Sequence, residues 1–172
     1  MTVDEYHHLS REARLARLAR TPGELVAAIA GRGDDVLSRR PDATSWAAKE
    51  VLCHLRDNEE SFLDRLRMIV TMDEPHFPRS NPNRWAEERQ YLGNDATEAL
   101  DAFGRRREET LALLGSLAPR AWEQGGVHLD ARGRRTIDEF VSVIAWPDDN
   151  HLDQLRRARS RRPCSSSPAR GE

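Results

Sequence analysis

From Val51 to Val70 the apolar residues keep helical spacing. Val51, Leu52, Leu55, Phe62, Leu63, Leu66, Ile69 and Val70 stand three, four and seven apart, which puts them along one face of an α-helix. The spacing predicts a single long helix, opening after Thr44-Ser45, running from Trp46 to Met72, and ended by Asp73-Glu74-Pro75. A helix that long with one apolar stripe cannot shield the stripe by itself, so it needs other helices of similar length packed on it.

Three further segments supply them. Thr21-Pro22-Gly23-Glu24 has the pattern of a helix start, with a cap, a first-turn proline and an acid ahead of Leu25, Val26, Ile29, Val36 and Leu37. Its predicted end lies near Arg40-Pro41, and residues 4–20, with Leu9, Leu15 and Leu18, form an additional amphipathic piece before it. Asp95-Ala96-Thr97-Glu98 and Thr136-Ile137-Asp138-Glu139 have the spacing of capping boxes. The first opens a helix with Leu100, Phe103, Leu111, Leu114 and Leu117 on its buried face. The second opens the last helix, with Ile137, Phe140, Val141, Ile144, His151, Leu152 and Leu155. Residues 73–94 hold Pro75, Pro78, Pro82 and Gly93 and predict a long crossover loop of the kind that packs over a site. No segment sustains a two-residue alternation. The expected fold is all-α, a four-helix bundle over residues 21–159 with a long crossover between its second and third helices. Residues 1–20 would be an extension and 160–172 a disordered Arg/Ser-rich tail.

Composition removes several functions. With 27 basic and 29 acidic residues among 172, the net charge is −2. Six arginines after position 155, against Glu172, leave a body of about −7, which argues against a nucleic-acid-binding domain and leaves the tail as the one basic arm. No run of 18 apolar residues could span a bilayer, no apolar leader stands at the start, and Cys53 and Cys164 are too far apart for a thiolate motif. A cytoplasmic location is the expectation. Walker loops, G-x-S-x-G, C-x-x-C and H-E-x-x-H are all missing from the chain.

Of six histidines, His54 lies on the long second helix a quarter-turn off its stripe, and His151 lies within the stripe of the last helix. Each alone is an ordinary core or boundary histidine. Together, on two helices of one bundle, they make a candidate metal site. Cys53, next to His54, points to a different helix face and forms no nucleophilic pair with it.

The run Ser45-Trp46-Ala47-Ala48-Lys49-Glu50-Val51-Leu52-Cys53-His54-Leu55, with Glu59, Phe62 and Arg65 after it, resembles the second helix of the DinB-like, or YfiT-like, proteins. Asp148-Asp149-Asn150-His151-Leu152-Asp153-Gln154-Leu155 is similar to the end of that family's last helix, and the resemblance spans residues 21–158. It implies a metal-dependent small-molecule enzyme of hydrolase or thiol-transferase type. It also implies a divalent metal, zinc or nickel, on three histidines, and it admits a homodimer. Two of those ligands match His54 and His151. The third would stand four residues before His151, where this chain has Pro147. Asp148 or His128 is the candidate replacement. The alternative is a degenerate member that keeps the bundle as a ligand-binding or dimerising module. In either case the expected partner is a small molecule, with no nucleic acid and no membrane.

Overall fold

The computed structural model describes residues 3–78, 81–129 and 133–160. After a short α1 (Val3–His7), four long helices make the bundle: α2 (Arg11–Ile29), α4 (Ala48–Thr71), α6 (Ala96–Gly115) and α7 (Ile137–Ser160). A one-turn α3 (Asp34–Leu37) lies between the first two. The crossover between α4 and α6 holds strand β1 (His76–Phe77), helix α5 (Pro82–Glu88) and a 3-10 turn (Tyr91–Gly93). A second 3-10 turn (Pro119–Glu123) and strands β2 (Gly125–His128) and β3 (Arg134–Thr136) precede α7.

Side-chain contacts fix the helix directions. Cys53 meets Tyr91 just before α6, Glu59 meets Arg107 and Thr110, and Arg67 meets Glu109, so α4 and α6 run parallel. Arg14 meets Asp138 and Ser142 while Thr21 meets Asp148, so α2 and α7 are parallel too. Phe62 packs on Phe140 and His54 on His151, so α4 and α7 are antiparallel. Two parallel neighbours joined in sequence require a return to the starting end, and the segment between α4 and α6 provides it.

The helix starts follow local chemistry. Asp95 accepts from the N–H groups of Thr97 and Glu98, and Thr136 and Glu139 form a reciprocal capping box. The α4 helix starts at Ala48, two residues after the expected Trp46, where Glu50 accepts from the Ala47 N–H at 2.9 Å and is itself held by Arg40.

The first bundle helix departs most from expectation. It is capped by Ser10, whose hydroxyl accepts from the Ala13 N–H, and it runs straight through Thr21-Pro22. Thr21 is buried and gives its hydroxyl to Asp148 at 2.6 Å instead of capping a helix. The helix then stops at Ile29, ahead of Gly31, whose φ of +70° favours glycine.

The small sheet, order β1-β2-β3, is the other departure. His76 and Phe77 pair in parallel with Val127 and His128, and β2 pairs antiparallel with β3. Strands of two to four residues are too short to display a period. Gly126 is required there, because a Cβ would strike the Phe77 ring.

The core forms two apolar clusters. One packs Leu25, Val51, Leu52, Leu55, Phe103 and Leu152; the other packs Leu18, Leu66, Ile69, Phe77, Phe140 and Ile144 near the sheet. A buried polar layer of Glu59, Arg107 and Asp148 lies between them along the helices. Of the expected disordered tail, residues 160–172, Ser160 is the last residue of α7, and residues 161–172 lie outside the described residues.

Candidate metal centre

His54 stands near the start of α4 and His151 near the end of α7, which puts both at the bundle end opposite the sheet. Their ring centroids are 5.0 Å apart with planes at 70°. Trp46, just before α4, packs edge-on against His54 at 4.8 Å. His54 is only 7% exposed. Its Nε2 contacts the Asn58 amide nitrogen at 2.8 Å, one turn along α4, and its Nδ1 is buried without a hydrogen-bond partner. His151 is half-buried, and its Nδ1 donates to Gln154 Oε1 at 2.7 Å, which fixes the proton there and leaves the Nε2 lone pair. Burial, with His151 alongside, pushes His54 down to about 4. Burial also lowers His151, against the opposing pull of Gln154 and Asp148. Both rings are therefore neutral near pH 7, as ligation requires.

The ring separation matches that of two ligands on one divalent ion. Two imidazoles bound to one tetrahedral ion at about 2.0–2.1 Å per nitrogen have ring centres roughly 5 Å apart. His54 Nδ1 is a buried donor atom without a partner. Ligation through Nδ1 needs the ring proton on Nε2, which a half-turn of the Asn58 amide would accept.

Neither expected third ligand joins them. His128 lies at the sheet end, stacked on Phe140 at 5.6 Å. Phe140 is eleven residues before His151, or about 16 Å along α7. Asp148 is 2% exposed, and its Oδ2 takes the Thr21 hydroxyl at 2.6 Å and the Arg107 guanidinium at 2.7 Å. Among the described residues no group of three His, Cys, Asp or Glu is arranged to hold a metal. The expected separation of Cys53 from His54 is observed: Cys53 is buried against the Tyr91 carbonyl, and burial pushes its thiol up to about 11.

The polar layer was missed. Arg107 donates to Glu59, to both oxygens of Asp148 and to the Leu18 carbonyl, and Thr110 donates to Glu59 at 2.6 Å. The available signal was charge at stripe positions: Arg107 continues Leu100-Phe103 toward Leu114, and Asp148 continues Ile144 toward Leu152. A cleft lies elsewhere along α4, lined by Asp57, Glu60, Asp64, Trp85 and Arg89; neither histidine borders it.

An all-α bundle of two parallel helix pairs, with a buried and a half-buried histidine in contact between two antiparallel helices, is the class that this fold and site define. The chain belongs to the DinB superfamily, whose family model matches residues 17–155. It is 22% identical over 164 residues to a protein of Oceanobacillus iheyensis provisionally named a metal-dependent hydrolase, covering 93% of this chain and 88% of that one. It is 20% identical to YfiT of Bacillus subtilis, which carries the same provisional name, over 80% of this chain and 78% of YfiT. The solved YfiT structure, described as an unusual four-helix bundle, superposes with a TM-score of 0.80 over 87% of each chain. A mycothiol-dependent maleylpyruvate isomerase superposes at 0.70 and 12% identity, over 87% of this chain and 62% of the isomerase. Among the described residues no helix is long and apolar enough to cross a membrane.

Proposed function

We propose that this chain is a metal-dependent small-molecule enzyme of hydrolase or thiol-transferase type, in which His54 and His151 hold a divalent ion, zinc or nickel. The observation that carries the reading is the buried, unpaired Nδ1 of His54 beside the His151 ring. The names of the relatives, metal-dependent hydrolases and a mycothiol-dependent isomerase, support the metal and the thiol respectively. When bound, such an ion supplies Lewis acidity, lowering the pKa of a water or thiol and polarising a carbonyl.

The chain's own residues prepare that chemistry. Trp46 covers the His54 ring, Gln154 holds the His151 proton on Nδ1, and Asn58, once its amide is turned to present Oδ1, would hold the His54 proton on Nε2. The partner in this reading is a small molecule in the cytoplasm, with a homodimer admitted and neither nucleic acid nor membrane involved. A second reading, a ligand-binding or dimerising bundle without catalysis, draws on Pro147 and on the lack of a third donor among the described residues.

Calorimetric zinc titration of the native chain, His54→Ala and His151→Ala separates the two. The expected result is binding by the native chain that weakens at least tenfold in each variant. Equal binding by all three would place the ion elsewhere, and no binding by the native chain would favour the second reading.

A further inference from the structure

Arg107 reaches the two helices that carry the histidine pair with the two ends of one guanidinium. Its Nη2 donates to Glu59 Oε2 at 2.7 Å, and its Nη1 donates to Asp148 Oδ2 at 2.7 Å. Glu59 lies five residues after His54 on α4, and Asp148 lies three before His151 on α7. Exposure of the three is 1%, 1% and 2%. A guanidinium is planar with a fixed fork, so the spacing between its two acids is set by covalent geometry and not by a flexible stem. Nη1 also donates to the Leu18 carbonyl of α2 at 3.1 Å, so a residue of α6 ties all four helices together.

α7 has a particular need for such a tie. Pro147 immediately precedes Asp148, and a helix-interior proline removes one backbone hydrogen bond at the place where the His151 segment begins. A helix missing that bond bends easily there. Asp148 is the first residue beyond the interruption, and Arg107 grips it.

We propose that Arg107 is the positioning residue of the His54–His151 pair: through Glu59 and Asp148 it fixes the register of α4 against α7. This rests on the reading of the pair as the functional site, but the geometry can be measured with no metal present. A merely stabilising role is the alternative. Buried ion pairs can often be exchanged for neutral groups of similar shape without loss of stability, so stability and positioning separate in a neutral network.

The test uses the full chain, metal-free, as the native protein, as the triple variant Glu59→Gln, Arg107→Met, Asp148→Asn, and as Arg107→Lys, whose point charge cannot span both acids. Nuclear Overhauser contacts between the His54 and His151 rings report position, circular dichroism and urea unfolding report the fold, and zinc titration reports the site. The expected result is a strong ring contact in the native chain and its loss in the folded triple variant, with zinc affinity down tenfold or more. Arg107→Lys should fold and weaken the same contact, so it decides the question if the triple variant does not fold. A native-strength ring contact in either folded variant would overturn the proposal. If the native chain binds no zinc, the functional reading falls, while the ring contacts still decide the positioning role.

Discussion

The guanidinium of Arg107 donates to the carbonyl of Leu18 at 3.1 Å, and this is the carbonyl that Pro22, four residues on, leaves without its helical N–H. The same group thus supports α2 at one proline and α7 beside another. It explains how α2 continues through Thr21-Pro22, a pair with the outward form of a helix start. The bond loss that makes an interior proline cost about 3 kcal/mol is met from another helix. Pro22→Ala should therefore raise stability by only about 1 kcal/mol or less, partly because alanine also loosens the unfolded chain. Urea unfolding measures this, and a gain near 3 kcal/mol would show that the Leu18 contact offsets nothing.

Cys53 should be inert. It is wholly buried, its Sγ faces the Tyr91 carbonyl at 3.8 Å, and burial pushes the thiol up to about 11. Thiolate is the reactive form, so at pH 8 both access and ionisation oppose labelling. In a Cys164→Ser background, a disulfide-exchange reagent should modify the native chain only as fast as it opens. Labelling within seconds under native conditions would show an open path to Cys53.

The histidine pair should make the metal-free fold sensitive to acid. His54 is pushed down to about 4 in the folded chain, against an ordinary value near 6.5. Between those values the unfolded chain takes up a proton that the folded chain refuses. Stability is therefore whole above about pH 6.5 and is lost as pH falls to about 4, by about 3 kcal/mol at most. Other groups titrate in that window, so the measurement is the difference between native and His54→Gln in chelator. The variant should lose less stability than the native chain from pH 7 to 4. Parallel curves would place His54 in contact with solvent.

How far the sequence revealed this molecule depended on what set each element. The α4, α6 and α7 helices were legible because their stripes and caps are local, as Asp95 and the Thr136–Glu139 box show. The start of α2 was not, because Thr21 is drawn to Asp148 and Pro22 is supported through Arg107, contacts to helices far along the chain. The sheet escaped because strands of two to four residues have no readable period. In the site, His54 and His151 could be paired from their places on two helices of one bundle and from the family resemblance. Asp148 as a third ligand could not be judged without its partners: a carboxylate already gripped by Thr21 and Arg107 is a structural group. The role of Arg107 was not legible, because charge on a stripe becomes meaningful only once the opposing acids are known to face it.

Position 147 offers the sharpest test. It lies four residues before His151 on α7, and residues four apart on a helix share a face. An imidazole there would complete a set of three with His54 and His151, where proline supplies no donor atom. Pro147→His should raise zinc affinity about a hundredfold or more, which is about 3 kcal/mol at 1.4 kcal/mol per tenfold. It should also stabilise the metal-free chain by about 1 to 3 kcal/mol, because an interior proline is removed. Pro147→Ala separates the effects, since it gives the stability gain without the donor and should leave zinc affinity within a few-fold of native. Zinc titrations and thermal melts in chelator on the three proteins measure both. Tight zinc binding by the native chain would mean that some other group already completes the site. An unchanged, weak affinity in the histidine variant would mean that position 147 does not face His54, and the three-ligand arrangement implied by the family would not apply to this chain.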